Sequence, residues 1–178
     1  MVFRVRPASP SDEDATGRIE VAADTVLIDR FGALDWPPPT PPQERTAAPG
    51  FVLVAETIET TDATDAAGAK DATVVGFVHV LEIDGHAHLE QLSVLPSHGR
   101  RGIGRRLVEA ALAEARRRGH PRVSLRTYAD VPWNAPFYAS CGFIVTEPDT
   151  PLLRSLIRIE TDLGLFEHGH RVQMTAVL

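Results

Sequence analysis

The sequence predicts a single-domain fold of the α/β (α+β) class, a central mixed sheet flanked by helices, and three observations lead there. A chain of 178 residues is long enough for one domain with a substantial core and too short for two ordinary ones. Strand and helix periodicities follow one another as strand, helix, three strands, helix, strand, helix, strand, helix, strand, which suits a sheet covered by helices. No segment repeats.

The elements follow in order. Phe3-Arg-Val-Arg6 alternates as a short strand. Ser9-Pro-Ser-Asp-Glu-Asp carries a capping serine, a proline at the first helical position and acids in the first turn. Ala15, Ile19, Ala22, Val26 and Leu27 then mark one helical face as far as about Arg30. Trp36-Pro-Pro-Pro-Thr-Pro-Pro42 cannot continue that helix, because each proline lacks an amide donor and restricts its predecessor; a stiff extended connector is expected. Residues 51–55 read as a buried strand and residues 57–72, rich in Thr, Asp and Ala, as a polar loop. Residues 73–83 and 86–95 form two long strands joined by Asp84-Gly85, a hairpin dipeptide, and should pair antiparallel. Ile103, Leu107, Ala111 and Ala115 trace the apolar stripe of a helix that Gly119 stops in the left-handed conformation. A strand over 123–127, a short helix over 132–140 closed by Gly142 and a strand over 143–146 come next. A helix over 152–163 ended by Gly164 and a last strand over 171–177 complete the chain.

Composition narrows the function classes. The net charge is −6, yet nine arginines stand against two glutamates between Arg100 and Arg126. A basic island on an acidic chain suits a compact polyanion such as a nucleotide, whereas a long phosphate backbone would be repelled beyond it, so no nucleic-acid partner is expected. Arg116, Arg117 and Arg118 read as a solvated helix end. No apolar run approaches bilayer length and the first residues alternate like a strand, so a cytoplasmic protein with no membrane partner is expected. Cys141 is the only cysteine, which excludes an intrachain disulfide and leaves it a packing role. His168-Gly-His170 lacks the ligand spacing of a zinc site and no Gly-x-Ser-x-Gly elbow occurs, so neither metal catalysis nor a serine hydrolase is expected.

The chemistry gathers at Val94-Leu-Pro-Ser-His-Gly-Arg-Arg-Gly-Ile-Gly-Arg-Arg-Leu-Val108, where an apolar strand breaks into a basic, glycine-punctuated turn and then a helix. Backbone amides at a helix start have no intrahelical acceptor, and the helix dipole adds positive potential, so a phosphate at this turn meets donors and field together. Gly102 and Gly104 admit the ligand to the main chain without a Cβ in the way. Arg100, Arg101, Arg105 and Arg106 add long-range attraction. A P-loop would need Lys followed by Ser or Thr after its second glycine, and a dinucleotide fingerprint a third Gly or Ala where Leu107 stands. Neither fits.

With Asn134-Ala-Pro-Phe-Tyr-Ala-Ser-Cys-Gly-Phe143 about thirty residues on, this segment resembles the GNAT superfamily of acetyl-CoA-dependent N-acyltransferases. Gly99-Arg-Arg-Gly-Ile-Gly104 matches the superfamily's Gln/Arg-x-x-Gly-x-Gly/Ala signature at both glycines. It departs at Gly99, which removes a side chain and leaves the amide cradle. The second motif, Asn-x-x-Phe-Tyr-x-x-x-Gly-Phe, follows in the right order. The resemblance is strong from about Val74 to Thr146, the expected cofactor-binding core, with residues 147–178 adding a C-terminal helix and strand to the one domain.

The resemblance implies a mostly antiparallel sheet in which the strand ending at Val94 splays from the strand starting near Val123, with the pantetheine arm of acetyl-CoA in the gap. The cofactor would be held by Leu92 and Val94 on the first strand and by Gly99, Arg100, Arg101, Gly102, Ile103, Gly104 and Arg105 at the turn. Asn134 and Phe137 complete that set, although Asn134 at a helix start is also an ordinary N-cap, and Trp133 and Phe137 could equally pack the core. On strand alternation His88, Glu90, Leu92 and Val94 share one face, which lines up with where the superfamily holds its base. Glu90 and His88 are the candidates for accepting the proton of the attacking amine, directly or through water; both could instead be solvated hairpin residues. Tyr138 matches the tyrosine that protonates the departing thiolate in many relatives, with a core tyrosine as the alternative. The expected activity is acetyl transfer from acetyl-CoA to a primary amine of a small molecule, by direct attack in a ternary complex and without a metal. A protein N-terminal or lysine acetyltransferase is the alternative enzyme, and a non-catalytic acyl-CoA sensor the alternative of another class. Asp149, Glu160, Asp162 and Glu167 could draw a cationic amine toward residues 147–170. The expected partners are acetyl-CoA and the amine, and a homodimer is admitted.

Overall fold

The computed structural model of the chain describes residues 2–58 and 72–178. Seven strands form one sheet in the order β1-β2-β3-β4-β5-β7-β6. They are β1 (Val2–Pro7), β2 (Gly50–Ile58), β3 (Thr73–Ile83), β4 (His86–Val94), β5 (Arg122–Tyr128), β6 (Ile144–Thr146) and β7 (Arg171–Val177). Every pairing is antiparallel except β4 with β5, which is parallel. The helices are α1 (Glu13–Phe31), α2 (Pro42–Ala47), α3 (Ile103–Arg117), α4 (Ala135–Ala139) and α5 (Pro151–Asp162).

Period-two alternation sends β2 and β3 side chains to two faces. Leu53, Ala55, Val78 and Val80 meet Ile103, Leu107, Ala111 and Ala115 of α3 in the main core. Val54 and Phe77 meet Ile19 of α1 on the other face. Gly76 is the close approach of the first face: a Cβ there would stand 3.0 Å from the Ser93 carbonyl oxygen and 3.2 Å from Leu107 Cδ1. The Asp84-Gly85 turn has positive φ at both residues, 50° and 77°, as its hairpin requires.

Three expectations need correction. Pro42 opens a helix instead of ending a loop: with its amide already superfluous at a first turn, proline starts α2 and buries Arg45. Thr57 and Ile58 extend β2 by pairing with β1, and residues 59–71 of the expected polar loop lie outside the described residues. The stripe of α1 is mixed, with Thr16, Ile19 and Glu20 buried while Val26 is exposed. Glu20 is tolerated there because it forms a buried ion pair with Arg45, whose guanidinium also lies 4.5 Å over the Phe77 ring.

Candidate active site

The site grows from an interruption in the sheet. β4 and β5 pair only at Ala87↔Val123, His88↔Ser124 and Leu89↔Leu125. Beyond that point the strands part, and Leu92, Ser93 and Val94 face Arg126, Thr127 and Tyr128 across a cleft of about 1220 Å³. Parted strands leave main-chain donors and acceptors available to an extended ligand.

At one end of the cleft lies the basic turn. Arg100 (φ 57°) and Gly102 (φ 81°) both have the left-handed backbone that a sharp turn between β4 and α3 requires. Ile103, Gly104 and Arg105 add the first amides of α3, which have no intrahelical acceptor. A Cβ on Gly104 would meet Phe137 Cζ at 3.5 Å and Val94 Cγ2 at 3.9 Å, filling the gap between α3, α4 and β4. Arg105 donates to the Ser140 carbonyl oxygen at 2.8 Å and to Ser140 Oγ at 2.9 Å, tying the turn to α4. Gly99, Arg100, Gly102, Ile103, Gly104, Arg105, Asn134 and Phe137 all line the cleft; Arg101 lies outside the lining. Asn134 occupies the N-cap position of α4 without a side-chain capping bond, so its amide is not tied to that helix.

At least four of the nine arginines of the island are neutralised where they stand. Arg117 and Arg118 pair with Glu114, Arg118 also with Glu82, Arg122 with Asp149, and Arg126 with Glu160. Arg100 and Arg105 are the island's members at the turn end of the cleft.

The shared face expected of His88, Glu90, Leu92 and Val94 is broken. His79 pairs with Gln91 while Val80 pairs with Leu89, so Glu90 is the extra residue of a β-bulge. A bulge resets the alternation. Leu92 and Val94 therefore pack toward the α3 core with Ala87 and Leu89, whereas His88 bonds Ser124 Oγ through Nδ1 at 2.8 Å. His88 Nε2 lies 3.7 Å from Glu90 Oε2. Burial pushes the His88 imidazole down to about 4, so it is neutral near pH 7. The Glu90 side chain keeps 43 % of its surface, and it lines the cleft. Crowding by protein atoms raises its pKa, Glu160 raises it further, and Arg171 opposes.

Tyr138 lies at the junction of the two cleft halves, 9 % exposed, packed edge-on against Phe137 and Phe143. Burial raises its phenol further above the ordinary value, so it is a protonated donor at neutral pH.

The other half of the cleft is walled by α1, by residues 36–40 and by α5. Trp36 is held in an aromatic cluster, its ring 5.5 Å from His168 and 6.4 Å from Tyr128, with Phe31 4.8 Å from Tyr128. This gives His168 a packing role. Of the acids expected near an amine, Glu160 lines the cleft, whereas Asp149 is on the surface with Arg122 and neither Asp162 nor Glu167 is part of the lining. Asp24, Trp36 and the two arginines that bind Glu160, Arg126 and Arg171, are cleft residues that sequence reasoning missed. Asp24 has one faint signal, an acid three residues before Leu27 on a helical face; the pairing of the arginines with Glu160 joins three elements and has none.

A model of the Acetyltransferase (GNAT) family matches residues 30–143, more than half of the chain. The chain belongs to the GNAT acetyltransferase family. Solved structures with the same fold include a PaiA N-acetyltransferase from Thermoplasma acidophilum in complex with coenzyme A. It is 16 % identical, with full coverage of both chains and a TM-score of 0.68. A putative streptothricin acetyltransferase from Bacillus anthracis in complex with acetyl coenzyme A is 15 % identical, covering 100 % of this chain and 99 % of that one, with a TM-score of 0.66. The ribosomal-protein-S18-alanine N-acetyltransferase from Escherichia coli is 17 % identical, covering 99 % and 94 %, with a TM-score of 0.64. As a GNAT member the protein is an acyltransferase. No helix among the described residues is long and apolar enough to cross a membrane, and no group of three or more His, Cys, Asp or Glu there could hold a metal ion.

Proposed function

We propose that this GNAT protein transfers the acetyl group of acetyl-CoA to a primary amine of a small molecule by direct attack in a ternary complex. The observation that carries the reading is one continuous cleft, running from the amide-rich turn through the parted strands to a chamber walled by α1, residues 36–40 and α5. The turn suits a pyrophosphate, the parted strands suit a pantetheine arm, and the two similar structures holding coenzyme A or acetyl coenzyme A support that cofactor.

Glu90 accepts a proton from the incoming ammonium, freeing the nitrogen lone pair for attack on the thioester carbonyl; its raised pKa brings its basicity closer to that task. His88 is a positioning residue. Anchored by Ser124, its Nε2 stands 3.7 Å from Glu90 Oε2, beyond hydrogen-bond distance but close enough to limit where the carboxylate swings, and its low pKa keeps it from being the base itself. As the C–N bond forms and the C–S bond breaks, Tyr138 delivers its proton to the leaving thiolate, and the second proton shed by the acylated nitrogen restores the phenol while Glu90 returns its own to solvent. Small-molecule over protein acceptor is favoured by the walls on both sides, since a protein amine calls for an open groove. A non-catalytic sensor would have no use for an acid and a base at the junction.

The test incubates the protein and acetyl-CoA with a panel of amines, following free CoA release and the product mass. The expected result is CoA release dependent on an added amine, with a product 42 Da heavier, about the mass of an added acetyl group replacing hydrogen. Acetyl-CoA binding without amine-dependent release sinks the reading.

A further inference from the structure

The charges at the acceptor end are arranged to accept a cation and to refuse an anion. Its cations among the described residues are Arg126 and Arg171, which share one carboxylate, that of Glu160. Arg126 Nε donates to Glu160 Oε2 at 2.7 Å and Arg171 Nη2 to Glu160 Oε1 at 2.6 Å, all three side chains being nearly buried. Arg171 Nε has no hydrogen-bond partner and is sealed from solvent, and the guanidinium lies 4.5 Å over the Tyr128 ring. Glu90, a second carboxylate at this end, is also attracted by Arg171. Across the chamber, Glu20 is paired with Arg45, whereas Asp24 has only the Trp36 side chain to offset its burial. The rest of the wall is apolar: Val26, Leu27 and Trp36 on one side, Leu156, Ile159 and Leu163 on the other. Val26, Ile159 and Leu163 are large apolar residues left exposed at this mouth, where a ligand would cover them.

We infer that the acceptor is a primary amine with an apolar body and no carboxylate, seated with its ammonium toward Asp24 and Glu90 and its body between Trp36 and α5. An α-amino acid is refused because its carboxylate would enter an end of the cleft where three carboxylates, Asp24, Glu90 and Glu160, already outnumber Arg126 and Arg171. A polyamine is refused because its second ammonium would lie against apolar side chains. The inference rests on the acetyl-transfer reading and adds the class of acceptor.

The experiment compares phenethylamine with phenylalanine, which differ by one carboxylate, alongside spermidine and an alanine-led peptide, each with acetyl-CoA. Phenethylamine is expected to exceed phenylalanine in kcat/KM by about 100-fold or more, the scale at which a site discriminates against an unpaired polar group. Asp24→Asn should raise KM for phenethylamine about tenfold while the acetyl-CoA Kd stays near the parent value, the loss of one charge-assisted contact. Preferred turnover of phenylalanine, spermidine or the peptide, or an unchanged KM in the Asp24 variant, overturns the acceptor class and leaves acetyl transfer standing. No turnover of any amine with acetyl-CoA bound overturns both.

Discussion

Glu90 and Tyr138 illustrate how single side chains in this cleft take their chemistry from placement. A glutamate ordinarily titrates near about 4.3. Crowding by the surrounding protein atoms and Glu160 raise Glu90, so the acid limb of the kcat/KM profile should lie above that value, activity rising with pH as the carboxyl loses its proton. Glu90→Gln should reduce kcat/KM by ~10²–10⁴ between that acid limb and the pKa of the amine, and less at higher pH, where more amine is already neutral; a profile identical to the parent eliminates Glu90 as base. His88→Gln should shift that limb without abolishing it, because His88 acts only through the carboxylate whose swing it limits. Tyr138→Phe removes one hydroxyl from a packed ring, so thermal stability should stay near that of the parent while kcat falls further than acetyl-CoA affinity. An equal fall in both would instead mark a contact made in the ground state.

Helix α3 couples the core to the cradle. Its buried face of Ile103, Leu107, Val108, Ala111 and Ala115 sets where its first-turn amides stand against β4. Leu107 is fully buried, and Leu107→Ala should cost about 2–5 kcal/mol in urea unfolding by lost transfer and cavity terms. At the other limit, Gly104→Val should leave folding nearly intact yet remove most acetyl-CoA affinity. The added methyl groups would enter the gap toward Phe137 and Val94 and stand in front of the amides. Calorimetric binding equal to the parent's would mean that the cradle lies elsewhere.

At the scale of the whole molecule, the acidic N-terminal corner and the basic turn respond to different conditions. Asp12 accepts two hydrogen bonds from Arg6, at 2.7 and 2.9 Å, and others from Ser9 N and Oγ. Arg6 holds its carboxyl well below the usual carboxylate range, with burial opposing. A folded pKa below the unfolded value contributes stability fully above the unfolded pKa, about 3.9, and loses it as pH falls toward the folded one. Asp12→Asn should therefore cost about 1–3 kcal/mol at pH 7, and the gap between parent and variant should close progressively below about pH 4. A gap that persists unchanged at low pH would assign the effect to packing. Acetyl-CoA binding should also weaken with added salt, but shallowly, since at least four arginines of the island are already paired within the protein.

The sequence by itself determined the order of elements apart from α2, the hairpin at Asp84-Gly85, the amphipathic α3 and the glycine turn, because these depend on periodicity and backbone freedom within a few residues. It also carried the two motifs by which the family is recognised. Only the tertiary structure decided that Glu90 occupies a bulge, since a bulge depends on the register of β3 against β4. The same holds for the fate of the arginines: a charge count cannot tell Arg126, buried against Glu160, from Arg100 at the cradle. Asp24 and Trp36 reach the chamber because α1 and the proline connector fold across the sheet beside α5. Acceptor selectivity thus depends on contacts between segments far apart in the chain, where local patterns carry no information, whereas the cofactor turn is a local structure and could be read directly.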